Sequence, residues 1–130
     1  MRNALLIAIG FSGFLAAAPT LAQETACMIE GTFSILGQTI KSRDCMQADP
    51  NENEAAFKAS CDQLANTSAG MGGGRGTITY MKQCQKPAQG ICKNVLGSQR
   101  DAYYYERSAE DLRILPDGCQ RGGGQWQSGG

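Results

Sequence analysis

Apolar and polar residues alternate near the start of residues 26–44. Ile29, Phe33 and Ile35 are interleaved with Glu30, Thr32 and Ser34, a period of two that predicts a strand. Gly37 supplies a turn, and residues 38–42 return as the partner strand of a β-hairpin. A three-residue loop centred on Leu36 would place Cys27 opposite Cys45. On that register the Cys45 face carries Lys41 and Arg43, a poor match to the apolar face of Cys27.

The period then changes. Asp49-Pro50-Asn51 breaks regular structure, and Asn51 or Asn53 is placed to cap a helix predicted over 52–66. Phe57, Cys61 and Leu64 fall on one stripe of that helix, which turns Cys61 inward, while Lys58 and Asp62 form an exposed pair. Residues 70–76 are glycine-rich. Neither Gly-x-x-x-x-Gly-Lys-Ser/Thr nor Gly-x-Gly-x-x-Gly is met there, and the segment follows a helix where phosphate-cradling loops follow a strand. It reads as a flexible turn from helix to strand.

Residues 77–83 and 91–96 are rich in β-formers and flank a turn over 85–90 with Pro87 and Gly90. A loop centred on Ala88 would bring Cys84 opposite Cys92. Residues 102–106, with three consecutive tyrosines, form the next strand. Ser108 followed by Asp111 resembles a capping box and opens a helix that turns Leu112 and Leu115 inward, and Gly122 closes it beyond Cys119. Trp126 lies in a closing strand packed on this helix, and residues 128–130 are expected to fray. The order of elements predicts an α+β fold, a small disulfide-stapled domain in which an antiparallel sheet carries two helices.

Composition adds the setting. Arg2, an apolar run over 4–18 and small residues at Thr20 and Ala22 predict a cleaved signal peptide, residues 1–22, with no membrane anchor afterwards. The mature domain is then 23–130, in the periplasm or secreted. Six cysteines in an exported chain predict three disulfides. Loop geometry favours Cys84–Cys92, then Cys27–Cys45, leaving Cys61–Cys119 to tie the helices together. Zinc is the rival, but no two cysteines have Cys-x-x-Cys spacing and the chain has no histidine.

Twelve basic residues balance twelve acidic ones, and the basic residues are dispersed, so nothing marks a nucleic-acid partner. The absence of histidine removes Ser-His-Asp and Cys-His catalysis. No residue pattern calls for a cofactor or a metal. Glu106, Glu110 and Asp111 leave room for a carboxylate-dependent hydrolase acting on envelope glycans, although acids in a helix's first turn also favour the dipole. The leading expectation is a non-enzymatic binding or envelope-associated module for a protein or glycan partner. Its candidate ligand-binding residues are Tyr103, Tyr105 and Arg107, where strand geometry turns both tyrosines to one face. The competing expectation puts these rings in the core.

Overall fold

A computed structural model describes residues 23–70 and 72–130. The expected signal peptide lies outside the described residues. The described chain forms a six-stranded sheet in the order β3-β1-β2-β5-β4-β6, with every neighbouring pair antiparallel. The strands are β1 (Ala26–Ile35), β2 (Gln38–Gln47), β3 (Thr77–Met81), β4 (Gly90–Lys93), β5 (Asp101–Tyr105) and β6 (Gln125–Ser128). Helix α1 (Glu54–Gly70) lies between β2 and β3, and helix α2 (Ala109–Arg121) between β5 and β6. This is the α+β, disulfide-stapled architecture expected from the sequence.

The register organises both faces. Tyr80, Cys27, Met46, Ala102, Cys92 and Trp126 fall in one row across the six strands. Because side chains alternate along a strand, this row shares one face, and Ile29, Asp44 and Tyr104 lie on the same side two residues away. Both helices cover this face. Helix α1 lays Phe57, Cys61 and Ala65 on it, all buried, and Asn53 caps the helix by accepting the Ala56 N–H at 3.0 Å. Leu64, expected to point inward, is 47% exposed, because the buried stripe runs along i, i+4 and i+8 through Ala65. Lys58 pairs with Glu54 and not with Asp62, which Arg75 takes. Helix α2 is capped by Ser108, whose hydroxyl accepts the Asp111 N–H at 3.1 Å.

The opposite face carries Ala26, Met28, Cys45, Ile91, Tyr103 and Tyr105. The connection from β3 to β4 covers it. Strand β3 sits at one edge of the sheet and β4 next to the other, so residues 82–89 must cross three strands. Cys84 and Ala88 of this crossing are buried against the tyrosines, and the Tyr105 hydroxyl donates to the Gln85 carbonyl. The 77–96 segment is therefore a crossover and not a hairpin. The final residues are hydrogen-bonded to the crossover: Gly129 N–H donates to the Gln89 carbonyl at 3.0 Å, and the Gly130 carbonyl accepts from Ala88 N–H at 3.1 Å.

All three expected disulfide pairings are replaced. The bonds are Cys27–Cys61, Cys45–Cys84 and Cys92–Cys119. Cys27–Cys45 fails because the β1–β2 turn has two residues, Leu36 and Gly37, with Ile35 opposite Gln38. That moves the register by one and turns Cys45 away from Cys27. Cys84–Cys92 fails because β3 and β4 are not neighbours. Cys61–Cys119 fails because each helix is bonded to the strand beneath it and not to the other helix. The three bonds fasten α1 to β1, the crossover to β2, and α2 to β4. They link residues 34, 39 and 27 apart in sequence, separations for which loop-closure entropy contributes roughly 3–4 kcal/mol each. Three disulfides belong to an oxidising, non-cytoplasmic compartment.

Candidate functional site

The two helices leave the middle of their face open. Helix α1 stands over β1 and α2 over β4 and β6, so the helix-facing side chains of β2 and β5 floor a groove between them. Asp44, Met46, Ala102 and Tyr104 form this floor, and Ser60, Gln63 and Leu64 of α1 form one wall. The other wall is the turn after β4, with Val95 and Leu96, continued by Ile114, Leu115 and Gly118 of α2. Two cavities of about 370 Å³ each make up the groove, and Val95, Leu96 and Tyr104 line both.

The turn that carries Leu96 has an unusual backbone. Asn94, Leu96 and Gly97 all have positive φ, at 51°, 55° and 71°. Asparagine and glycine tolerate this region, whereas leucine is strained in it. Ser98 holds the turn by donating from its hydroxyl to the Val95 carbonyl, and Asp101 accepts the Asn94 N–H at 3.0 Å. Leu96 is thereby held outward, 80% exposed, over the groove.

Ion pairs stand near the two ends of β5. Before it, Arg100 donates to both carboxylate oxygens of Glu52, and its guanidinium lies 5.8 Å from the centre of the Phe57 ring. Beyond it, Arg107 donates to both oxygens of Asp44, and its guanidinium lies 5.3 Å from the centre of the Tyr104 ring. Burial pushes the Asp44 carboxyl above its ordinary 3.8. That effect outweighs the lowering by Arg107, and the Asp111 charge adds to it. Burial likewise raises the Tyr104 phenol. Trp126 closes the site behind Tyr104, with ring centroids 5.8 Å apart. Its indole crowds Gly90: a β-carbon there would stand 2.1 Å from the ring, so only glycine lets the tryptophan reach the tyrosine.

The three candidate ligand-binding residues do not come together. Tyr103 and Tyr105 are 8% and 6% exposed and belong to the core under the crossover. Their burial removes them as a recognition patch. Both rings do share a face, as strand geometry requires, but it is the covered one. Arg107 turns to the other side of the sheet and is held by Asp44 and Tyr104. Leu64, Leu96, Ile114 and Asp44 were not legible as site residues. The available signal was the pair of Leu-Gly turns, Leu36-Gly37 and Leu96-Gly97, where a large apolar residue occupies a tip.

Among the acids weighed for catalysis, Glu106 and Glu110 are exposed, and Glu110 lies 3.8 Å from Arg113. Among the described residues no group of three or more His, Cys, Asp or Glu is placed to hold a metal, and every cysteine is bonded. A larger cleft of about 860 Å³ opens on the other face of the sheet, with Gln47, Gln83, Asn94, Gln99 and Lys86 in its lining. Gln47 there is committed to the fold, since its amide bonds Thr25 and the Cys84 N–H. No protein-family model, curated protein or solved structure matches this chain.

Proposed function

We propose that this chain is an exported, periplasmic or secreted binding module without catalytic activity, and that its inter-helix groove takes an apolar side chain or chain segment of a protein partner. One observation carries the reading. Leu64, Leu96 and Ile114 are 47%, 80% and 59% exposed, and all three line the same groove. Exposed apolar side chains scattered singly need no explanation, but gathered around one concavity they mark a binding surface. The aliphatic walls favour an apolar protein segment over a glycan. The alternative, a carboxylate-dependent hydrolase, draws less support, because Glu106 and Glu110 are exposed and Asp44 is engaged by Arg107.

Trp126 is the chain's one tryptophan and touches Tyr104 on the groove floor, so its fluorescence reports occupancy. Titrating the oxidised protein with an anilinonaphthalene sulfonate probe should give a saturable change in that fluorescence. Leu96→Asp should weaken it at least about tenfold, the penalty expected when a charge must be desolvated with an apolar ligand. An unchanged titration in that variant, with the fold intact by circular dichroism, would sink the reading.

A further inference from the structure

The cleft on the crossover face has a polar floor. Gln47 and Asp101 stand opposite each other on β2 and β5, and Lys93 follows Ile91 by two residues on β4, so all three share the face of Tyr103. Most of this row is already engaged. Gln47 is bonded to Thr25 and Cys84, and Asp101 accepts from the Asn94 N–H and the Lys93 ammonium.

Tyr103 is the exception. Its ring belongs to the core, only 8% exposed, yet it also lines the cleft. The Tyr105 hydroxyl donates to Gln85, whereas the Tyr103 hydroxyl has no bonding partner among the described residues. No described buried side-chain oxygen lacks a partner, so this hydroxyl is the part of the residue left open, and it opens into the cleft. The rim is polar too. The side chains of Gln83, Lys86, Asn94 and Gln99 make no hydrogen bond or ion pair within the described chain. Their backbones are held. The Cys45–Cys84 bond pins the crossover beside Gln83, Asp101 accepts the Asn94 N–H at 3.0 Å, and the Ser98 hydroxyl accepts the Arg100 N–H across Gln99 at 3.1 Å. Polar heads on a fixed frame lower the ordering cost of binding.

We propose that this cleft is a second binding site, separate from the inter-helix groove, and that it takes a neutral glycan segment with one sugar hydroxyl bonded to Tyr103. Charge argues for a neutral ligand: Asp49 and Asp101 balance Lys86 and Lys93, and Asp101 and Lys93 are paired with each other. The amides of Gln83, Asn94 and Gln99 and the Tyr103 hydroxyl each donate and accept, as sugar hydroxyls do. The cleft's volume of about 860 Å³ is that of a small-ligand site. An extended peptide fits less well. It binds best along an unpaired strand edge, and β2, β5 and β4 beneath the cleft each have a strand on both sides.

The test is saturation-transfer NMR of the oxidised protein with maltotriose, cellotriose and triacetylchitotriose as neutral probes. Saturable transfer to at least one of them is expected. Tyr103→Phe keeps the buried ring and deletes the hydroxyl, so it should weaken that binding at least about fivefold while the melting temperature is kept. Gln99→Ala on the exposed rim should weaken it as well, and it decides the question if Tyr103→Phe alters the fold. Ile114→Ser in the inter-helix groove should leave it unchanged. Absence of transfer to every probe, or Tyr103→Phe and Gln99→Ala variants that bind like the parent, overturns the proposal. So does binding lost in Ile114→Ser, or a blocked tetraalanine peptide that displaces the sugar at a lower concentration than the sugar itself requires.

Discussion

Cys27 and Cys45 stand on opposite faces of the β1–β2 hairpin: Cys27 lies opposite Met46, and Cys45 opposite Met28. One bond goes down to α1 and the other up to the crossover, so the two cysteines clamp both covering layers onto the same pair of strands. Peptide mapping of the oxidised, unreduced protein should return Cys27–Cys61, Cys45–Cys84 and Cys92–Cys119. Any peptide joining Cys27 to Cys45 would contradict the register.

Helix α2 depends on its bond more than α1 does. It has no buried residue, whereas α1 buries Phe57, Cys61 and Ala65. Replacing Cys92 and Cys119 by alanine should cost about 3 kcal/mol. Hydrogen exchange should show α2 amides losing protection before those of α1. Equal loss in both helices would show that packing, not the disulfide, holds α2 down.

The periods of the sequence carried the fold class and the identity of nearly every element. They did not carry register. A two-residue turn and a three-residue loop are both compatible with residues 35–38, yet they send Cys45 to opposite faces. Topology was hidden for a different reason. Whether residues 82–89 make a hairpin or cross the sheet depends on which strands lie beside β4, and those are β5 and β6, both contributed by later residues. The site was least legible, because its parts are Asp44, Leu64, Leu96, Tyr104 and Ile114, spread over most of the chain. Leu64 reads as core from helical spacing alone, and only the placement of Ala65 beneath α1 leaves it outside. The tyrosine run gave the right alternation but not which face would be covered, since that is decided by the crossover.

Gly90 and Trp126 form a close-packed pair across β4 and β6. A β-carbon at position 90 would stand 2.1 and 2.4 Å from two indole carbons, so the ring must move away from Tyr104. Gly90→Ala is expected to destabilise the protein by about 2–3 kcal/mol, the usual cost of overpacking. In a Trp126→Leu background the same change should cost far less, giving a coupling energy above about 1 kcal/mol in a double-mutant cycle. Additive losses in urea unfolding would mean the clash is relieved elsewhere.

Leu36 occupies the first position of a tight turn with φ 51°, followed by Gly37 at φ 77°. Positive φ at both central residues is the requirement of a type I′ turn, for which Asn-Gly is the favoured sequence. A leucine there costs about 1 kcal/mol or more in backbone strain, and its side chain, 99% exposed, gives nothing back to the fold. Leu36→Asn is therefore expected to stabilise the chain by about 1 kcal/mol, read as a higher urea midpoint at low protein concentration. A midpoint unchanged or lowered would mean that the leucine contributes to stability.

Asp44 sets a pH dependence whose sign distinguishes burial from ion pairing. Its carboxyl is held above the ordinary 3.8, chiefly by desolvation, with Arg107 opposing and Asp111 assisting. A group whose pKa is raised by folding contributes stability that is complete below its unfolded pKa. That contribution is lost as the pH rises through the folded value. Asp44→Asn removes the ionisation and keeps a neutral group of similar size beside Arg107. The stability of the variant relative to the parent should then increase as the pH is raised from about 3 to about 7, because only the parent must bury a charge at the higher pH. If Arg107 outweighed the burial, the carboxyl would be lowered instead, and the variant would lose ground over the same interval. Urea midpoints of the two proteins at several pH values decide between these signs, and a falling difference would reverse the account of Asp44 given by its burial.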